Sequence, residues 1–322
     1  MPLLSTFGAA ASRSFGLGVG GADAPQIGLF MGSAKSVNEQ NFNSVEFFDF
    51  ANLGNATDFG DMATAHTPDT AGIGGETRCI AAGGGADGRG NSMEYTTFDT
   101  TGSFTDFGDL TQATRYCRGS NNKTRGLIYM GSSNSYNINN VIEYITIDTT
   151  GNSTDFGDLT QARQQAGSFS SATRGLCCGG RMPSDVSTNI IDYVTISSTG
   201  NASDFGNLTI ARDECGGFAS ATRGCNHGGR VSASNTTTNT IDYVTMSSTG
   251  NASDFGDLIA NGENQYGASS LITGITGGGM EAFTNDCQKV TIASTGNASY
   301  FGALTEQRHS GASASNCHGG LA

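Results

Sequence analysis

The sequence predicts an all-β fold built as a ring of repeated units. Three observations predict it. The phrase "GNASDFG" stands at 250–256, is nearly repeated at 200–206, and has variants at 54–60, 151–157 and 296–302. Its phenylalanine recurs as Phe59, Phe107, Phe156, Phe205, Phe255 and Phe301, at spacings of 48, 49, 49, 50 and 46 residues. A fixed period of this size marks one supersecondary unit written many times. Glycine, at 48 of 322 residues, is about twice its average usage. With abundant Ser, Thr and Asn it punctuates many tight turns. No segment shows a helical period.

Each phrase of the unit reads as one strand. "VEFFDF", "MEYTTF", "IEYITI", "IDYVTI" and "IDYVTM" begin at 45, 93, 142, 191 and 241. They alternate apolar and polar residues and are rich in β-branched and aromatic types. "STG" or "TTG" supplies a turn. "NASDFGDLT" then places a Phe and a Leu as buried anchors. A small-residue segment opening on Arg163, Arg212 or Arg308 follows. A last phrase completes the unit, "ETRCIAAGGG", "KTRGLIYMGS", "ATRGLCCGGR" and "ATRGCNHGGR" beginning at 76, 123, 172 and 221, in which "TRG" opens a strand that typically ends in Gly-Gly. Four short strands per period, small residues crowding the first two, predict a β-propeller.

The arrangement resembles the kelch repeat family. The landmarks are Arg212, Gly228-Gly229, Asp242-Tyr243 and Phe255. Phe stands where that family usually has Trp. The resemblance covers nearly the whole chain and implies blades of four antiparallel strands. Residues 1–322 then form a single propeller domain, with repeats near 13–60, 61–108, 109–157, 158–206, 207–256 and 257–302. The tail "RHSGASASNCHGGLA" holds the first strands of a further unit. "LLSTFGAAASR" at the start resembles "STDFGDLTQAR", with Phe7 in the anchor position. The expectation is therefore seven blades, with residues 303–322 and 1–9 forming the closing one. Six blades is the alternative.

The net charge of −13 repels phosphate backbones, so nucleic acid is not an expected partner. No apolar stretch reaches the length of a membrane span, so no membrane insertion is expected. The N-terminus has no basic n-region and no long apolar h-region, so no secretory signal is expected.

Residues that recur in every unit read as scaffold. The third-strand acids Glu46, Glu94, Glu143, Asp192 and Asp242 are expected to pair with Arg78, Arg125, Arg174 and Arg223 of "TRG". The Asp before each anchor (Asp58, Asp106, Asp155, Asp204, Asp254) is expected to bond turn amides. Asn152, Asn201, Asn251 and Asn297 open Asn-X-Ser/Thr triplets and read as turn chemistry. Of eight cysteines, Cys215 and Cys225 sit symmetrically about a hairpin loop, which raises a cross-strand disulfide as a hypothesis. His309 and His318 share the last hairpin with Cys317. No CxxC, HExxH or phosphate loop is present, and neither metal nor cofactor is expected. Some kelch-like propellers are copper oxidases. The Tyr, Cys and His set such a resemblance would need is not located here.

Binding is expected where the units differ, because recognition concentrates on variable loops held by a rigid scaffold. The stretches after Gly-Gly are irregular: "SSNSYNINN" at 132–140, "RMPSDVSTN" at 181–189 and "RVSASNTTTN" at 230–239. Their candidate residues are Tyr136, Asn137, Arg181, Met182 and Arg230. The near-identical, glycine-rich repeats also resemble those in structural proteins of tailed bacteriophages of marine bacteria. That resemblance implies a non-enzymatic virion component, a tail fibre or appendage propeller made in the host cytoplasm. Its expected partners are other virion proteins, further copies of itself, and a host receptor or glycan. The alternatives are a cellular kelch-type interaction module and, last, a propeller enzyme.

Overall fold

The computed structural model of the chain describes residues 25–34, 41–65, 70–84, 90–133, 137–279 and 285–322. Six antiparallel sheets, each built on four strands, are arranged as blades. From inside outwards, blade 2 uses Ala71–Gly74, Arg78–Gly84, Gly90–Thr97 and Thr105–Arg115. Blade 3 uses Arg118–Asn121, Arg125–Tyr129, Val141–Thr146 and Thr154–Asp158. Blade 4 uses Gly167–Ser170, Arg174–Cys178, Ile190–Thr195 and Ser203–Asn207. Blade 5 uses Gly216–Ala219, Arg223–His227, Thr240–Thr245 and Ser253–Asp257. Blade 6 uses Tyr266–Ser269, Thr273–Gly277, Asp286–Thr291 and Ser299–Ala303.

Blade 1 closes the ring, and it corrects the expected count. Its outer three strands are Ile27–Ala34, Asn41–Asp49 and Thr57–Asp61. Its innermost strand is Ala312–Ser315, from the far end of the chain, paired from Gly28 with Ser315 to Met31 with Ala312. The C-terminal unit is thus the missing inner strand of the first blade. The six inner strands contact one another in an unbroken circle, which leaves no place for a seventh blade. The expected closing strand, with Phe7, lies outside the described residues. Either route joins the two chain ends in one sheet and removes a free edge.

The inner strands meet almost backbone to backbone. A Cβ on Gly72 would lie 2.1 Å from Ser313 O, and one on Gly119 2.3 Å from Gly72 O. Where the neighbour is Ser, its hydroxyl bridges the gap: Ser168 Oγ donates to Gly119 O at 2.8 Å, and Ser313 Oγ to Gly267 O at 2.7 Å. Gly, Ala and Ser take most positions where inner strands meet, while Ile73, Phe169 and Phe218 on the same strands pack into the cores between blades.

The repeated phrase is a latch between blades. In the outer strand of blade 5, Ile241 faces Gly256 and Asp242 faces Asp254, so Phe255 is the extra residue of a β-bulge. Gly296 N–H donates to Phe255 O at 2.7 Å and Ala298 N–H to Asp257 O at 2.8 Å. Asn297 Oδ1 accepts the Asp257 N–H at 3.0 Å. The same bonds recur around the ring, through Asn152, Asn201 and Asn251. At the closure, Ala303 N–H donates to Asn55 Oδ1 at 3.1 Å. The expected amide-bonding role thus falls to the Asn. The Asp before each Phe is exposed on the outer strand.

The two repeated arginines hold different joints, which corrects the expected pairing. Asp192 accepts from Arg163 Nη2 at 2.9 Å, Asp242 from Arg212 at 3.1 Å and Glu46 from Arg308 at 2.5 Å, all buried. A Thr in the same connection also donates to each acid, as Thr160 does to Asp192 at 2.8 Å. The "TRG" arginines instead lie over the third-strand tyrosines: Arg78 on Tyr95, Arg125 on Tyr144, Arg174 on Tyr193 and Arg223 on Tyr243, at 4.4–4.8 Å. Each then donates to a carbonyl of the next blade, as Arg223 does to Ile292 O at 2.9 Å. The cause is strand alternation. Arg174 pairs with Thr195, two residues from Tyr193 and on its face, while Asp192 points to the other face.

All eight cysteines are free. Cys225 pairs with Phe218, and Cys215 precedes the strand that begins with Gly216 opposite His227. Cys215 and Cys225 are out of register, so the hypothesised disulfide is absent.

Candidate functional site at the channel mouth and loop face

The channel has two unlike ends. At the lower end the chain terminus turns inwards as a short 3-10 segment, Gly319–Leu321. His318 Nε2 lies 2.8 Å from Gly74 O, and Gly320 N–H donates to His318 Nδ1 at 3.0 Å. A Cβ on Gly319 would sit 2.1 Å from Ser220 O, and one on Gly320 1.9 Å from Asn121 O. The tail therefore plugs this end between blades 2, 3, 4 and 5. His309, at the opposite end of the same inner strand, places Nδ1 2.8 Å from Ser310 Oγ. Above the plug the channel is lined by Gly72, Gly119, Ser168, Gly217, Gly267 and Ser313, with Asn121 and His318 at its floor.

The upper mouth is framed by one residue per connection in left-handed backbone: Tyr116, Gln165, Glu214, Asn264 and Ser310, with φ from 56 to 61°. Non-glycine residues adopt this conformation at a cost, and it clusters at functional positions. A chain of amide bonds links them: Gln165 N–H to Tyr116 O (3.3 Å), Glu214 N–H to Gln165 O (2.7 Å), Asn264 N–H to Glu214 O (2.9 Å) and Ser310 N–H to Asn264 O (2.9 Å). The Glu214 carboxylate accepts from Gln165 Nε2 at 2.9 Å and from Asn264 Nδ2 at 2.8 Å. Arg118, Gln265 and Tyr266 line the space inside this rim.

The expected loop residues lie beside this mouth. Arg181 exchanges backbone bonds with Gln164, and Arg230 with Asp213, so both start their loops next to the rim residues Gln165 and Glu214. Their side chains are about a quarter exposed. Arg181 Nε pairs with Asp185 at 2.7 Å, and Arg230 Nε lies 3.7 Å from Asp213 Oδ1. Met182 closes the hairpin through Asp185 N–H at 2.9 Å and Val186 O at 3.0 Å. Asn137 is exposed, its carbonyl accepting from Ser133 N–H at 3.0 Å in the blade 3 loop. Tyr136 lies outside the described residues. The structure brings Arg181 and Arg230 together around Asp213. It does not bring Asn137 or Met182 to that group.

Asp213, Ser187 and Ser232 were not singled out in the sequence, yet they organise the face. Ser187 Oγ–H donates to Asp213 Oδ2 at 2.6 Å. Ser187 N–H donates to Ser232 Oγ at 2.7 Å, and Ser232 N–H to Ser187 Oγ at 3.0 Å. The blade 4 loop is thereby tied to the blade 5 loop. Burial raises the Asp213 carboxyl above the usual range, against the opposing pull of the Ser187 hydroxyl and the Arg230 and Arg181 guanidiniums. For the rim residues, though not for Asp213, the signal in the sequence is the slot two residues before each inner strand. It reads Tyr, Gln, Glu, Asn and Ser where its surroundings repeat.

Chemically, this face offers two guanidiniums, a buried carboxylate and a ring of amides around a narrow polar opening. Among the described residues no group of three or more His, Cys, Asp or Glu is gathered at one point. Such a surface can recognise a polar partner through charge and hydrogen-bond geometry. No family model and no curated protein matches the chain.

Proposed function

We propose that the chain is a non-enzymatic recognition propeller, a structural component of a phage virion carried on a tail fibre or appendage and used in host adsorption. The observation that carries this reading is a division of labour. The repeated side chains described above are used in holding blades together, as latch, buried ion pair or arginine staple. Groups that do not repeat gather on the loop face, where Arg181, Arg230 and Asp213 meet. The channel, lined mainly by Gly, Ser and Ala with Asn121, Phe169, Phe218 and His318, and plugged by the C-terminal tail, offers little to a substrate. The virion assignment itself draws on the style of the repeats and their resemblance to phage and kelch sequences. A net charge of −13 suits a component that must stay soluble at high copy number.

The test has two parts. Mass spectrometry of purified particles should find the chain. The isolated propeller, added to host cells first, should slow adsorption of those particles, and the Arg181→Ala/Arg230→Ala variant should block less well. Recovery only from the cytosol of uninfected cells would replace this reading with the cellular kelch-type interaction module.

A further inference from the structure

We infer that blade 6 carries a binding cleft for a carboxylated saccharide on its lower rim, independent of the loop face and of whether the chain belongs to a virion. The inference begins with the six joints between neighbouring blades. Four are filled by an arginine lying over a tyrosine, at Arg78/Tyr95, Arg125/Tyr144, Arg174/Tyr193 and Arg223/Tyr243. In blade 1 the same two slots hold Ile27 and Phe47, in register through Ile27 opposite Asp49 and Leu29 opposite Phe47. Both belong to one apolar cluster with Phe59, Phe98 and Phe104. That joint is filled by hydrophobic packing.

Blade 6 supplies neither from these two slots; Phe50 and Leu53 of blade 1 pack with Phe301 at this joint, where Phe48 meets the Phe301 ring at 5.4 Å. The arginine slot is Thr273, opposite Thr291, and the tyrosine slot is Lys289, opposite Ile275 and Ser299. The arginine slot is open to one side, where a cleft of about 270 Å³ lies on the face of blade 6, lined by blade 6 residues that include Thr273, Lys289, Thr291, Ser294, Asn297 and Ser299. This is the room of about nine liquid waters, enough for a single sugar ring and too little for a folded segment.

The lining chemistry specifies the occupant. Hydroxyls from Thr273, Thr291, Ser294 and Ser299 can donate or accept, as sugar hydroxyls require. Asn297 uses its oxygen on the Asp257 amide at 3.0 Å, which leaves its NH₂ as a donor. Lys289 is the cation in the cleft, and an ammonium there calls for one carboxylate on the ligand. The lip is apolar. Of the six exposed large apolar side chains among the described residues, Leu271 and Ile272 stand in the turn beside the cleft, while Tyr300, paired with Gln288 where Ser299 pairs with Lys289, points to the other face. Leu271 and Ile272 directly precede Thr273 and offer a surface to the C–H face of a sugar.

Saturation-transfer difference NMR on the full chain tests this, with glucuronate and glucose as probes and inorganic phosphate as competitor. Transfer to glucuronate is expected, with glucose about two- to fivefold weaker, the range of one exposed ion pair. Lys289→Ala should bring glucuronate down to the level of glucose. Thr273→Arg/Lys289→Tyr rebuilds the filling of the other blades. It should abolish transfer to both sugars while keeping or raising the thermal midpoint. Transfer that persists in the rebuilt variant overturns the inference. Displacement of glucuronate by phosphate with no transfer to glucose overturns the saccharide assignment in favour of a bare anion site.

Discussion

The buried pair Arg212–Asp242 gives the sharpest prediction about what holds the ring. Asp242 is 1% exposed and accepts from Arg212 Nη2 at 3.1 Å, Thr209 Oγ1 at 2.6 Å and Thr209 N–H at 3.1 Å. Arg212 is fully buried and also donates to Asn226 O at 3.1 Å. Arg212→Met keeps most of the stem's volume but leaves a buried carboxylate with only Thr209. Breaking one side of a buried pair costs about 3–5 kcal/mol, whereas removing both charges is often close to neutral. Asp242→Asn should cost a similar amount through the stranded guanidinium. The double variant should then be no worse than either single, so the coupling is at least the cost of one single, about 3 kcal/mol or more. Urea unfolding of the four proteins measures it through midpoint and slope. Blade 6 is the natural precedent. Its acid is Gln288, its arginine slot is Gly262, and Gln288 Oε1 accepts Ile259 N–H at 2.7 Å. Additive losses in the double variant would refute the reasoning.

Three further outcomes follow from particular contacts. His227 is fully buried with neither ring nitrogen hydrogen-bonded, and burial holds its pKa down to about 3 from 6.5. The folded chain therefore binds fewer protons, so stability is full above pH 6.5 and falls as pH drops towards 3, by about 1.4 kcal/mol per pH unit. His318, at about 4, adds to the same acid limb. His227→Ala, the residue blade 2 has at Ala82, should flatten that limb in urea titrations at a series of pH values, and an unchanged slope would contradict it. Gly206→Ala places a Cβ 2.3 Å from Gly250 O at φ +149°, so it should cost about 2 kcal/mol or more. Gly54→Ala, with nothing within 4 Å, should be neutral within about 0.5 kcal/mol, and equal thermal shifts for the two would count against the latch. Deleting residues 319–322 unplugs the channel, and hydrogen exchange at the Asn121 amide, which bonds Ser170 Oγ at 3.2 Å, should speed up while the outer strands are unaffected.

The period made strand order and blade architecture legible, because each phrase carries its own turn and anchor. The closure was harder to read. "STFG" at 5–8 resembles the anchor phrase, but a likeness in letters does not say which strand a sheet edge accepts. Ala312–Ser315 fits because its Ala and Ser side chains are small enough for the innermost radius. The acid's partner was misassigned because two arginines recur with the same period. Alternation along "IDYVTI" separates them once register is known, since Asp192 and Tyr193 face opposite sides. The loop candidates Arg181 and Arg230 were visible as breaks in the repeat. Asp213 was not, because its role depends on Ser187, 26 residues away in the neighbouring blade's loop.

A repeated fold supplies its own controls, and blade 6 departs from the others in two unlike ways. The change to Gly262 and Gln288 removes a buried charge of each sign together, which leaves no ion stranded and is compatible with a stable core. The change to Thr273 and Lys289 is different. It gives up a cation–π contact and the donor that Arg223 supplies to the next blade at 2.9 Å. It also leaves open space where blade 1 packs Ile27 and Phe47. Phe50, Leu53 and Phe301 recover part of that loss by apolar packing at the joint, but none of them lines the cleft. A site that breaks the local rule beyond what its neighbours make good is where a function is expected to lie. The cleft on blade 6 is therefore better explained by something it binds than by how the propeller folds.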